Sequence, residues 1–82
     1  TKDDAEIDLI IERPAFSPVL VEIKSSTRVD VSDARHLIKF RNEFDDPRLF
    51  LLSNDKIEKD LDGVTACHWA QGITLIIEDK GR

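Results

Sequence analysis

Cysteine is nearly absent from this chain. The single Cys67 excludes an internal disulfide framework and a cysteine-based zinc site, and it agrees with a reducing, cytoplasmic setting. Set between Ala66 and His68, it reads as a small buried hydrophobe. Glycine and proline number three each, few enough for an ordinary globular composition. No apolar run approaches the roughly 20 residues of a membrane-spanning helix, and no signal peptide precedes the first strand-like run. Neither a glycine-rich phosphate loop nor a His-x-x-His spacing occurs, so this domain cannot hydrolyse ATP by itself. Methionine is also missing, at the start as elsewhere. The chain opens Thr1-Lys2-Asp3-Asp4, which reads as a cut within a longer protein.

What is present is charge and branched aliphatic residues. Eighty-two residues, 40% apolar and 35% charged, make one domain of a size at which a single core is only just sufficient. The net charge of -5 argues against tight non-specific binding of nucleic acid, which depends on Lys and Arg neutralising phosphates. The average hides an asymmetry. Lys24, Arg28, Arg35, Lys39 and Arg41 face only Asp30 and Asp33 in residues 24–41, whereas residues 42–62 are dominated by Glu43, Asp45, Asp46, Asp55, Glu58, Asp60 and Asp62. One region is suited to a polyanion and another is not.

Residues 6–12 and 18–24 are rich in Ile, Leu and Val and flank the breaker-containing segment 13–17, a pattern that predicts a hairpin. Pro18 is tolerated as a first strand residue. A helix is expected over residues 32–44, with Asp30 or Ser32 as N-cap and Ala34, Leu37, Phe40 and Phe44 on its packed side. Pro47 disfavours its continuation. Residues 48–53 read as a strand buried on both faces, and 54–63 as a charged connection with room for a helical turn. Residues 64–68 read as a further strand, while 69–78 fit either a strand or a short helix. This order implies a small mixed α/β sheet covered by helices.

The chemistry is concentrated at Glu22-Ile23-Lys24, which ends the apolar run Val19-Leu20-Val21. Closing the hairpin about Ala15 sets Ile10 opposite Leu20, Asp8 opposite Glu22 and Glu6 opposite Lys24. Like charges directly opposed in a sheet are unfavourable, and a divalent cation turns that repulsion into shared coordination. Mg²⁺ takes one or two carboxylates and leaves its other positions to waters and substrate phosphate. Lys24 would complete such a site by stabilising charge on a phosphoryl group or orienting water. The competing interpretation is an exposed charge ladder in which Lys24 pairs with Glu6 and neutralises Asp8.

Asp8, followed after a hairpin by Glu22-Ile23-Lys24 and then a helix and a strand, resembles the PD-(D/E)xK nuclease superfamily. Glu6-Ile7-Asp8 together with Val21-Glu22-Ile23-Lys24-Ser25-Ser26-Thr27 is similar to the C-terminal domain of many prokaryotic AAA-type ATPases. The likeness runs from about Glu6 to Gly72. It implies a restriction-endonuclease-like α/β fold lacking the usual N-terminal helix and strand. It further implies Mg²⁺ or Mn²⁺ held by Asp8, Glu22 and the Ile23 carbonyl, with Lys24 assisting a nucleophilic water and Glu6 as accessory acid. The implied activity is cleavage of nucleic acid, foremost DNA, leaving a 5′-phosphate. The alternative it carries is a catalytically inactive interaction or regulatory module of an AAA-type ATPase, with an ATPase domain in the parent chain or a second copy as partner.

Other residues are candidates for lesser roles. Arg28, Arg35 and Lys39 are placed to contact a nucleic-acid backbone. Residues 25–28 offer hydroxyls and a guanidinium, or simply a polar loop. His36 reads as an ordinary solvated histidine on the polar side of the helix, and Trp69 as a core or interface anchor.

Overall fold

Leu49-Phe50-Leu51-Leu52 is an unbroken apolar run, and such a run is stable only where both faces of a strand are covered. In the computed structural model, which describes residues 7–78, it lies in β3 (Arg48–Ser53) at the centre of a five-stranded sheet. β2 (Val19–Ile23) and β5 (Val64–His68) flank it, both parallel to it. β1 (Leu9–Ile11) and β4 (Lys59–Leu61) pair antiparallel on the outside. The spatial order is β1-β2-β3-β5-β4.

The hairpin register is the expected one, with Ile10 opposite Leu20. Its ladder is shorter than expected, running only from Leu9–Val21 to Ile11–Val19. Glu12 and Pro18 drop into the connection, since proline has no N–H to give to a ladder. The Pro18 carbonyl instead accepts from the Arg48 N–H at 2.8 Å. Expected positions before Ile7, Glu6 among them, lie outside the described residues.

The helix between β2 and β3 begins where a capping residue permits it. Asp30 accepts from the Ser32 N–H at 3.0 Å and its hydroxyl at 2.6 Å, while the Asp33 carboxylate accepts from the Asp30 N–H at 2.9 Å. This reciprocal box satisfies donors that a helix start leaves open. The Ser32 hydroxyl and N–H hold the Asp30 carboxyl below its ordinary range. A 3₁₀ turn, Val31–Ala34, leads into α1 (Arg35–Phe40), and a second, Arg41–Glu43, leads out.

Beyond β3 one expectation is corrected and one left open is decided. The connection at 54–63 contains no helical turn but ends in β4, paired to β5 through the two-residue loop Asp62-Gly63. Both loop residues have positive φ, 55° and 90°, the turn that matches strand twist and favours Asp-Gly. Residues 69–77 settle as a helix, α2 (Trp69–Ile77), whose N-cap is His68, with Nδ1 accepting from the Ala70 N–H at 3.2 Å.

Strand alternation sorts the core into two layers. Leu20, Leu49, Leu51, Val64 and Ala66 meet Val29, Ala34 and Leu37 on the α1 side. Val19, Val21, Phe50, Leu52 and Cys67 meet Ile76 on the α2 side. Cys67 is buried as expected, and that burial pushes its thiol up. By the same alternation Glu22 shares the α1 side with Leu20.

Candidate functional site

β2 and β3 run in the same direction, so their C-terminal ends emerge on one edge of the sheet, where Glu22, Ile23 and Lys24 leave β2. The Lys24 N–H still reaches β3, donating to the Leu52 carbonyl at 2.8 Å. On its other side β2 has run past the ladder with β1, and the Asp8 carboxylate takes over, accepting from the Ile23 N–H at 2.7 Å. An antiparallel strand exchanges its N–H and C=O across the same edge, so the Ile23 carbonyl leaves on the side of Asp8.

Glu22 is the anomaly of the sheet. Its residue exposure is 6%, among the few buried polar positions. Oε2 has two neighbours, the Lys24 ammonium at 3.5 Å and His36 Nδ1 at 3.5 Å. Oε1 is buried and has no hydrogen-bond partner among the described residues. A buried carboxylate oxygen left unsatisfied is costly, and native structures rarely keep one without a ligand or a function behind it. The repulsion expected between Asp8 and Glu22 is relieved locally, because Asp8 turns to a peptide N–H while Glu22 faces two cation-capable groups.

His36 corrects the reading of it as a solvated histidine: its side chain is only 17% exposed and lies against Glu22. Ala34, Leu37, Phe40 and Phe44 pack on the core as expected, and His36 lies at the margin of that stripe, close enough to the sheet to reach Glu22. A histidine one position before the fully buried Leu37 was the available signal. Arg28, Arg35 and Lys39 are exposed. Glu6 lies outside the described residues.

The loop after Lys24 is held in place from below. Asn54 donates from its backbone N–H to the Ser26 carbonyl at 3.0 Å and from its side-chain amide to the Ser25 carbonyl at 3.0 Å. Asp55, which the sequence left in a featureless charged connection, is buried. Its Oδ2 accepts from the Val29 N–H at 3.0 Å and the Lys59 ammonium at 2.7 Å, and its Oδ1 from the Ile57 N–H at 3.0 Å. Lys59 also donates to the Val29 carbonyl at 2.6 Å. Hydrogen bonding to Lys59, then to Ile57 and Val29, lowers the Asp55 carboxyl to about 2.

A carboxyl depressed in the fold stabilises it above the unfolded-state value near pH ~4 and ceases to do so as pH falls through the folded value. Asp55→Asn is therefore expected to melt at a lower temperature than wild type at neutral pH. The gap should narrow between about pH 4 and pH 2. Thermal melts across that range check this, and a gap independent of pH would show that the charge of Asp55 is not what holds the loop.

On the opposite side of the sheet an apolar groove of about 500 Å³ lies between the β1–β2 hairpin and α2. Leu9, Ile11, Val21, Ile23, Leu52, Trp69, Ile73, Ile76 and Ile77 line it. Trp69 is 48% exposed and rests beside the His68 ring, centroids 5.4 Å apart, so it belongs to this surface and not to the core. No helix among the described residues is long and apolar enough to cross a membrane.

The donors available to a metal are hard oxygens. Among the described residues no group of three or more His, Cys, Asp or Glu side chains is gathered as a ready cation site. The set is instead two carboxylates, Asp8 and Glu22, with the Ile23 carbonyl, which fits Mg²⁺ or Mn²⁺ and their preference for oxygen and retained water. The unpartnered Glu22 Oε1 supplies the vacant acceptor such an ion needs. No protein-family model matches the chain, and neither the curated proteins nor the solved structures include a significant match.

Proposed function

We propose that this chain is a magnesium-dependent, nuclease-like domain of the PD-(D/E)xK type that hydrolyses phosphodiester bonds in nucleic acid. The observation that carries the reading is Glu22 Oε1, a buried acceptor at the end of an inner strand with no partner among the described residues. A mixed five-stranded sheet between two helices is compatible with a restriction-endonuclease-like architecture.

Asp8, Glu22 and the Ile23 carbonyl would hold the ion. When bound, Mg²⁺ supplies Lewis-acid polarisation of a phosphoryl oxygen and lowers the pKa of water. Lys24, with its side chain 33% exposed, is free to swing from Glu22 toward charge building on the phosphoryl oxygens. Water forms the new bond to phosphorus as the bond to the 3′ oxygen breaks, leaving a 5′-phosphate and a protonated 3′-hydroxyl. Arg28, Arg35 and Lys39 serve the backbone phosphates. Because the chain is acidic overall, binding depends on these few cations and weakens steeply with salt.

A second reading is favoured by the exposed apolar side chains along the groove, Leu9, Ile23, Trp69, Ile73 and Ile77 among them. In it the chain is a catalytically inactive interaction or regulatory module of an AAA-type ATPase, and the acidic site is vestigial. The test compares wild type with an Asp8→Ala, Glu22→Ala double variant in Mn²⁺ and Mg²⁺ titrations, and in cleavage of single- and double-stranded DNA and RNA. Site-specific binding and metal-dependent cleavage, both abolished in the variant, are expected. Binding without cleavage of any form transfers the argument to the interaction module, and no specific metal binding by wild type ends the nuclease reading.

A further inference from the structure

We infer that His36 is a positioning residue for the Glu22 carboxylate, fixing which of its oxygens is presented to the metal. The inference rests on the metal-site reading above. Among the described residues both charged neighbours of Glu22 sit on the same oxygen: Lys24 Nζ and His36 Nδ1 are each 3.5 Å from Oε2, while Oε1 has no partner. Two cation-capable groups beside one oxygen draw the carboxylate toward that side and oppose its rotation.

The two neighbours are not equivalent. Lys24 is a flexible side chain on β2 itself, 33% exposed, and the proposed reaction takes it away to the phosphate. His36 is carried on α1 beside the fully buried Leu37 and is 17% exposed, so it stays on Oε2 when Lys24 leaves. Its other ring nitrogen plays no part in the contact. A positioning role of this kind depends on a donor at the place of Nδ1, and partners that orient a metal ligand in this way typically govern metal affinity by about 10–100-fold.

Substitutions that move or remove that donor test the role without using activity as the readout. Asparagine places its amide near the position of Nδ1, glutamine places it near that of Nε2, and leucine removes it. In calorimetric titrations with Mn²⁺ alone, His36→Leu and His36→Gln are expected to bind about 10–100-fold more weakly than wild type, and His36→Asn within about 3-fold of it. A side chain that merely fills space would not rank Asn above Gln, and both polar variants keep the helix surface wettable should the leucine variant fail to fold. Equal affinity for the Asn and Gln variants, or wild-type affinity in all, overturns the inference and leaves the metal site standing. Absence of specific Mn²⁺ binding by wild type overturns both.

Discussion

Glu22→Met is expected to fold at least as stably as wild type in metal-free buffer, by up to about 2 kcal/mol, and to lose metal binding altogether. The expectation follows from what surrounds the carboxylate. Among the described residues Oε1 has no partner, and Oε2 has two neighbours at 3.5 Å, long for hydrogen bonds. Burying such a group costs desolvation that these contacts repay poorly, and replacing buried ion pairs with apolar residues of similar volume is often neutral or stabilising. Methionine is unbranched and adaptable enough to follow the path of glutamate. Lys24 and His36 are left without their acid, but both retain access to water.

Metal should reverse the order. An ion that binds only the folded state at about a hundred times its dissociation constant adds roughly 2.7 kcal/mol to wild type by mass action, and nothing to the variant. Urea unfolding with and without Mn²⁺ reads both effects, with an unchanged slope showing that the unfolded states are comparable. A variant clearly less stable than wild type without metal would mean that Glu22 is retained for the fold, removing the main support for a ligand site.

Gly72→Ala is expected to destabilise the domain by about 1–3 kcal/mol, against the sign of helix propensity. In an exposed helix the same change gains about 1 kcal/mol. Here Gly72 is buried where α2 crosses the sheet, and an added Cβ would fall well inside the contact distance of Leu52 Cδ2, 3.3 Å from Leu52 Cγ and 3.1 Å from Cys67 Sγ. Leu52 must shift its side chain to admit the methyl, and it is held in the packed layer under α2, only 4% exposed, with the apolar groove on its other side. Leu52→Ala alone should cost about 2–5 kcal/mol through the cavity it leaves. Combined with Gly72→Ala it should cost less than the two changes summed, by about 0.5–3 kcal/mol, because the new methyl enters that cavity. Strict additivity in chemical denaturation would show that α2 shifts away from the sheet instead of colliding with it.

Gly72 also shows where the sequence stops being informative. Its presence in 69–78 left strand and helix equally open, since a glycine before a β-branched run suits both. What decides is that α2 caps the open side of Phe50, Leu52 and Cys67, a surface that does not exist until the sheet has formed. The missed β4 is a different kind of failure. Asp62-Gly63 is a strong local hairpin signal, but the charged residues before it do not look like a strand, and an edge strand has little need to.

The sequence by itself determined the hairpin register, the doubly buried β3 and the capped start of the helix, because each depends on contacts between near neighbours or on a periodicity of two. The same register places Asp8 beside the end of β2, where its carboxylate accepts from the Ile23 N–H, and Lys24 beside Glu22. Only the tertiary structure decided that Glu22 would be buried with one oxygen unpartnered, that His36 would come to rest on the other, and that Asp55 would hold the loop behind them. Those outcomes depend on how α1 and the 54–58 segment pack across the ends of parallel strands. Contacts between residues so far apart in the chain leave no periodic trace in it.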